Sequence, residues 1–184
     1  MSLQVRMECI GTAGSALNLL NSPTSIFINT NDILYINDTG NYRIVAYPLN
    51  TASGTVVADT GVGGTALNQL AVGGNGTSGT SLGQVDFPYG VWADSSANIF
   101  VVEHKNQRVT KWTLGAITSV VVAGITNTSG KQKSRKAHYT DDTLSFGSLG
   151  VAANRLWSPM GIYYDEMNQN LYISNIGSAS TIAK

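Results

Sequence analysis

Short apolar runs separated by turn residues recur along this chain, spaced as β-strands are and not as helices are. Residues 25–28 (Ser-Ile-Phe-Ile) and 90–93 (Gly-Val-Trp-Ala) read as first strands. Each is followed by a polar turn, Asn29-Thr30-Asn31-Asp32 or Asp94-Ser95-Ser96-Ala97. Second strands over 33–36 and 99–102 are β-branched and aromatic, as a half-buried pleated surface prefers. The stretch Asp38-Thr39-Gly40-Asn41 predicts a tight turn, with Asp38 bonding the backbone ahead of it and Gly40 taking the positive φ. Third strands over 43–47 and 108–112 and fourth strands over 55–58 and 119–123 complete two sets. No apolar segment of about a dozen residues carries the i, i+3, i+4 spacing of an amphipathic helix.

The two sets are one set repeated. Residues 23–47 and 88–112 align without a gap, so that Pro23 meets Pro88, Phe27 meets Trp92, Tyr35 meets Phe100, Asn41 meets Asn106 and Arg43 meets Arg108. A looser third copy starts at Pro159. Repetition at this scale predicts a repeat architecture. Four short antiparallel strands and a Gly-rich connection, repeated, predict an all-β fold: a propeller segment of four-stranded antiparallel blades, incomplete as it stands. The expected division is one propeller segment over 1–184. Residues 1–10 are the closing strand of a preceding blade, 23–58 and 88–123 are blades, and 159–184 is a partial blade. The stretches 60–86 and 124–157 are expected as long inter-blade loops, the first echoing 16–20 in its Ala66-Leu67-Asn68-Gln69-Leu70. Residues that recur at equivalent places (Pro23, Pro88, Pro159, Asp38, Asn41, Asn106, Arg43, Arg108) are expected to serve structure, the arginines by bonding turn carbonyls.

The repeated pattern is Pro-x-Gly-Val, then Asp, an apolar strand, an acidic turn, and Asn-x-Arg-Ile/Val before an aromatic. The second copy carries it as Pro88, Gly90, Val91, Asp94, Glu103, Asn106, Arg108, Val109 and Trp112. The first carries Pro23, Ile26, Asp38, Asn41, Arg43, Ile44 and Tyr47. The third has Pro159, Gly161, Ile162 and Asp165, then departs, with Asn175 at the acidic turn and no Arg in 178–181. This pattern resembles the NHL-repeat family of β-propellers. The resemblance implies a propeller, and a role among interaction scaffolds, RNA binders, extracellular modules and metal-dependent enzymes of lyase or lactonase type. Closed propellers take about four blades or more. The remaining blades are therefore expected from a longer chain or from self-association.

Composition narrows the roles. Eleven basic residues balance eleven acidic ones, so no global field draws nucleic acid or an anionic membrane. Charged residues make up 12%, and Gly, Ser, Thr and Asn take their place at turns. No run approaches the ~20 apolar residues of a membrane span, and no signal peptide is read at the start. The one cysteine, Cys9, forms no internal disulfide and reads as a small strand residue.

Candidate chemistry is sparse. Gly74, Gly76 and Gly79 fit a dinucleotide fingerprint, and Gly79-Thr80-Ser81-Leu82-Gly83 fits a hydrolase nucleophile elbow. Both need a strand before and a helix after, and neither has them. His104 and His138 are two where a catalytic zinc takes three protein ligands, so they read as solvated loop residues. Recurring acids at Asp94 and Asp165 would serve a central metal, but Asn29 breaks the set. The basic run holding Lys131, Lys133, Arg135 and Lys136, followed by Tyr139, is the best local candidate for ligand contact, able to meet phosphate or sulfated glycan. Asn75 and Asn127 are sequons in the long loops and tilt the reading toward an extracellular setting. Asn37 is a third sequon, at a strand end. The expectation is a non-catalytic binding module, with no cofactor or metal, whose loop face takes a protein or glycan partner. A propeller enzyme with a central metal and an RNA-binding propeller are the alternatives, the latter disfavoured by zero net charge.

Overall fold

A computed structural model describes residues 12–49, 51–58, 78–125, 137–140, 143–146, 156–175 and 181–183. The first sheet comprises β1 (Ser25–Ile28), β2 (Ile33–Asp38), β3 (Arg43–Pro48) and β4 (Thr55–Ala58), antiparallel and in sequence order. The second repeats it with β5 (Pro88–Ala93), β6 (Ile99–Glu103), β7 (Arg108–Trp112) and β8 (Val120–Gly124). The third holds β9 (Ala137–Thr140), β10 (Thr143–Phe146), β11 (Pro159–Asp165), β12 (Asn170–Asn175) and β13 (Thr181–Ala183). The fold is all-β and partly propeller-like.

The third sheet departs from expectation. A hairpin, β9–β10, lies within the stretch read as loop, and it joins β12 through the pairing of Asn170 with His138. The short run Ala137–Thr140 has no counterpart in the other copies, so the repeat gave no cue to it. β13 takes the place of a third strand: Asn175 pairs with Thr181 as Asp38 pairs with Arg43 and Glu103 with Arg108. The expected strand over 1–10 lies outside the described residues, as does the echo at 66–70.

Strand alternation sends two sets of side chains to opposite faces of each sheet. On the face of the first sheet toward the second, Tyr35, Ile44, Ala46 and Val57 pack against Val91, Ala93, Ile99, Val101 and Trp112. On the next seam, Trp92, Phe100, Val102 and Val109 pack against Tyr164, Leu171 and Ile173. The far face of the first sheet gathers Leu34, Ile36, Val45 and Tyr47 under Leu20. Burying these rows between sheets is what holds the sheets side by side. Gly90 shows how close they come, since a Cβ there would meet the carbonyl oxygen of Met160 at 2.5 Å.

The expected positive φ at Gly40 falls elsewhere. The left-handed residue of that turn is Tyr42 (φ 53°), matched by Gln107 (φ 57°) in the second copy. Gly40 is needed for space: a Cβ would lie 2.8 Å from the backbone oxygen of Asn21. Left-handed residues also precede each repeat proline, at Ser22 (48°), Phe87 (49°) and Ser158 (48°). A turn shape this well repeated is imposed by tertiary bonds, because none of these residues favours it intrinsically.

One buried position breaks the repeat at a cost. Asn37 is fully buried, and neither its amide oxygen nor its nitrogen has a hydrogen-bond partner. Its counterpart in the second sheet is Val102, also fully buried. Replacing Asn37 with Val therefore removes two stranded polar atoms and is expected to raise stability by about 1–2 kcal/mol. A melting midpoint that is unchanged or lower in Asn37→Val would show that the site is not apolar. The same burial makes the Asn37 amide inaccessible for glycosylation.

Candidate functional site

Each of the first two sheets is anchored to the chain that leads into it. Arg43 at the start of β3 pairs with Asp38 at the end of β2 (2.6 Å) and donates to the carbonyls of Ser15 (2.7 Å), Ala16 and Leu19. Asn41 donates to Asp38 and to the carbonyl of Gly14 (2.9 Å). In the second copy, Arg108 pairs with Glu103 (2.9 Å) and donates to the carbonyls of Thr80 (2.8 Å), Ser81 and Gln84. Asn106 donates to Glu103 and to the carbonyl of Gly79 (2.8 Å). The partners match one for one, so the lead-in of the second sheet is 79–87, as 14–22 is of the first. The Gly79–Gly83 motif thus sits in this strap, with Ser81 Oγ 3.0 Å from Gln84 Oε1.

Both acids, Asp38 and Glu103, are fully buried, and for Glu103 the burial shows in its titration. Burial pushes its carboxyl above the usual range, opposed by the charge and hydrogen bonds of Arg108 and by bonds from Asn106 and Thr110. Ionisation therefore costs Glu103 more in the fold than in the unfolded chain, a cost that its pairing with Arg108 only partly offsets. Its contribution to stability is full below the ordinary carboxylate range and is lost as pH rises through the raised value.

The straps lie at one end of the strands, where the prolines begin β5 and β11. The chain leaves β4 at Ala58 beside Ile44 and leaves β8 at Gly124 beside Arg108, so connections between sheets depart from this same end. Here the seams are clasped twice over. Thr39 and Thr24 donate to the carbonyl of Pro88 (2.6 and 3.1 Å), while His104 Nδ1 lies 3.3 Å from the carbonyl of Pro159. Tyr42 packs edge-on against Phe87 (5.7 Å), and Gln107 accepts from the backbone N–H of Ser158 (2.7 Å). Around Phe87 the surface gathers more chemistry. Lys105 lies over its ring (5.6 Å) and pairs with Asp86 (3.2 Å), and Tyr89 packs on the His104 ring (4.9 Å). Phe87, Lys105 and Trp157 are exposed there.

At the opposite end, the acids considered for a central metal are spent on turns. Asp94 accepts from the backbone N–H of Ser96 and Asn98 and from the Asn98 amide. Asp165 accepts from the N–H and amide of Asn168, and Asn29 accepts from the N–H groups of Asn31 and Ile33. Each closes the turn between a first and a second strand, as an Asx turn does. Glu166 bridges one seam by accepting from Ser95 (2.7 Å from its hydroxyl). The Tyr35 hydroxyl is pushed up by burial and by the charge of Asp94. Among the described residues no His, Cys, Asp and Glu cluster is placed to hold a metal.

Of the residues singled out in the sequence, Lys131, Lys133, Arg135, Lys136, Asn75 and Asn127 lie outside the described residues. Tyr139 and His138 fall in β9, not in a loop, and their side chains also lie outside the described residues. His104 is half-buried against Tyr89 and not a freely solvated turn residue. The Phe87 patch was missed. Its trace in the sequence is a break in the repeat, an aromatic and a lysine (Phe87, Lys105) where the first copy has Ser22 and Gly40.

No protein family matches the chain, and no curated protein matches it. Among solved structures, it is similar to an auxiliary nutrient binding protein from Bacteroides thetaiotaomicron. The likeness has a TM-score of 0.50 at 15% identity and covers 80% of this chain. The chain spans 33% of the length of that neighbour, and the likeness extends to the fold. Among the described residues, no helix is long and apolar enough to cross a membrane.

Proposed function

We propose that the chain is a non-catalytic binding module, built on NHL-type repeats, that takes a protein or glycan partner on its proline-end face. The observation that carries this reading is the Phe87 patch: exposed aromatic and cationic groups held rigidly over a seam, on the face from which the inter-sheet connections depart. Exposed rings anchored by packing offer contact area at little cost in side-chain entropy. The basic run holding Lys131, Lys133, Arg135 and Lys136, with Tyr139, belongs in sequence to the second of those connections and is proposed as a further ligand contact. That the fold neighbour is itself named a nutrient binding protein is in keeping with a binding role. The recurring residues Pro23, Asp38, Asn41, Arg43, Pro88, Asn106, Arg108 and Pro159 serve, in this reading, to hold that face in shape.

Arrays of immobilised glycans and purified proteins, probed with the labelled chain, test this. A ligand is expected whose binding weakens at least about tenfold in Phe87→Ala and Lys105→Ala, the size of one lost hot-spot contact. Met167→Ala, at the fully exposed turn of the opposite end, serves as the control. Binding that Met167→Ala removes and the loop-face changes leave intact would place the site at the wrong end, and turnover of the bound ligand would end the non-catalytic reading.

A further inference from the structure

The two seams are clasped at the proline end by different chemistry. In the first, the hydroxyls of Thr24 and Thr39 close on each other (2.6 Å) and on the carbonyl of Pro88, so both are spent within the fold. One repeat later their places are taken by Tyr89 and His104, whose rings pack at 4.9 Å. There the clasp falls to His104 Nδ1, 3.3 Å from the carbonyl of Pro159. A carbonyl oxygen only accepts, so Nδ1 carries the proton, and the neutral ring is left with a lone pair on Nε2. Among the described residues neither that Nε2 nor the Tyr89 hydroxyl has a hydrogen-bond partner, and neither is sealed from water. The backbone N–H of His104 donates to the carbonyl of Phe87 (3.1 Å), which holds the ring pair beside the exposed Phe87 side chain.

The second seam thus trades two hydroxyls used up inside the fold for two rings with free polar tips. One tip is an acceptor, the other gives or takes a hydrogen bond, and an apolar ring stands next to them. We propose that the ligand of this face is a neutral glycan. One sugar hydroxyl donates to His104 Nε2, a second bonds the Tyr89 hydroxyl, and a C–H face of the sugar rests on Phe87. The inference rests on the reading of the proline-end face as the binding face, and it names the ligand class. Charge argues for a neutral ligand, because Lys105 beside the rings is already paired with Asp86 (3.2 Å) and offers little to a sulfate or carboxylate. Exposure argues for a small one. Tyr89 and His104 are half-buried, and Phe87 is 37% exposed, so the rings are set into the surface and present tips more than broad apolar area. Rings held by packing keep those tips in place at little cost in entropy. A site built to bond hydroxyls also discriminates against ligands that lack them, because its own polar atoms would be left unpaired.

The test is an array of neutral, sialylated and sulfated oligosaccharides, with non-glycosylated proteins alongside, probed with the labelled 184-residue chain. Binding to neutral oligosaccharides is expected, and it should persist at raised salt, which screens ion pairing. Tyr89→Phe removes the hydroxyl alone and is expected to weaken binding about fivefold, the size of one lost hydrogen bond. His104→Asn keeps an N–H donor near the Nδ1 position and removes Nε2, so it should show a similar loss with an unchanged melting midpoint. His104→Gln makes the opposite exchange, keeping a polar atom near Nε2 and giving up the clasp. It should bind better than His104→Asn and melt lower. A purely structural role for His104 would leave His104→Asn as the better binder of the two. Preference for sialylated or sulfated oligosaccharides overturns the proposal, and so does neutral-glycan binding that Tyr89→Phe and His104→Asn leave intact. A protein ligand that is lost in Phe87→Ala but indifferent to those two changes overturns the glycan while the binding face stands. An array with no ligand at all overturns both.

Discussion

Replacing Arg108 with Met is expected to destabilise the chain by about 3–5 kcal/mol, the usual result of removing one partner from a buried ion pair. The guanidinium is fully enclosed, and so is the Glu103 carboxylate that it meets through two nitrogens. Its removal strands that acid and leaves the carbonyls of Thr80, Ser81 and Gln84 without this donor. The loss is thus the desolvation of a charge plus several main-chain acceptors, and Lys is no substitute, having one donor centre where the planar fork needs three. In a domain of this size the melting midpoint should fall by on the order of 10 °C. A second change, Glu103→Met, added to the first, should restore part of the loss because no unpaired charge then remains. Urea unfolding of wild type, both single variants and the double variant gives the coupling directly. A loss below about 1 kcal/mol for Arg108→Met would show that the strap over 79–87 is held by something else.

What the sequence disclosed and what it hid divide along physical lines. Strands β1, β4 and β7 fall on the expected residues, and most of the others differ by one or two at an end, because alternation and turn chemistry are local. Arg43 and Arg108 could be assigned to structure by their recurrence, but not their partners. The carbonyls that they hold lie 24 to 28 residues upstream, brought near only by the packed fold. The left-handed residues show the same limit. Turn propensity points to Gly40, yet Tyr42, Phe87 and Gln107 adopt the shape because tertiary bonds on both sides fix it. The hairpin β9–β10 was hidden for the opposite reason. Its strands are short, carry polar residues at half their positions, and have no second copy to expose them by comparison.

The candidate surface was legible only by contrast. Repetition marks what the fold needs, so a residue that departs from it at a recurring place is free to serve a partner. Phe87, Lys105 and His104 stand where the first copy has Ser22, Gly40 and Thr39. Two of these departures keep the inherited duty. His104 approaches the next proline carbonyl as Thr39 does, and Phe87 keeps the left-handed backbone of Ser22. Conserved geometry with altered chemistry is what a scaffold with one adapted face should show, and the adapted positions cluster at one end of the strands.

The seams themselves yield the last expected result, which concerns Trp92. Its ring lies 5.5 Å from Phe27 of the sheet before, 5.4 Å from Tyr164 of the sheet after, and 5.9 Å from Phe100 of its own. The ring thus meets rings in all three sheets, so truncation opens a void that no single neighbour can fill. Trp92→Ala should cost about 3–5 kcal/mol, the range for large-to-small changes in packed cores. Trp92→Phe should cost far less, because Phe27 already shows that a phenyl ring satisfies the equivalent place. The pattern of loss matters more than its size. Stacked sheets are stabilised by nearest-neighbour interfaces, so weakening a seam uncouples what lies on either side. Amide exchange in Trp92→Ala, at fixed chain concentration because association shifts apparent stability, should accelerate first in β11 and β12 and last in β2 and β3. Uniform acceleration across all three sheets would mean that they melt as one unit, and that Trp92 fills space without linking them.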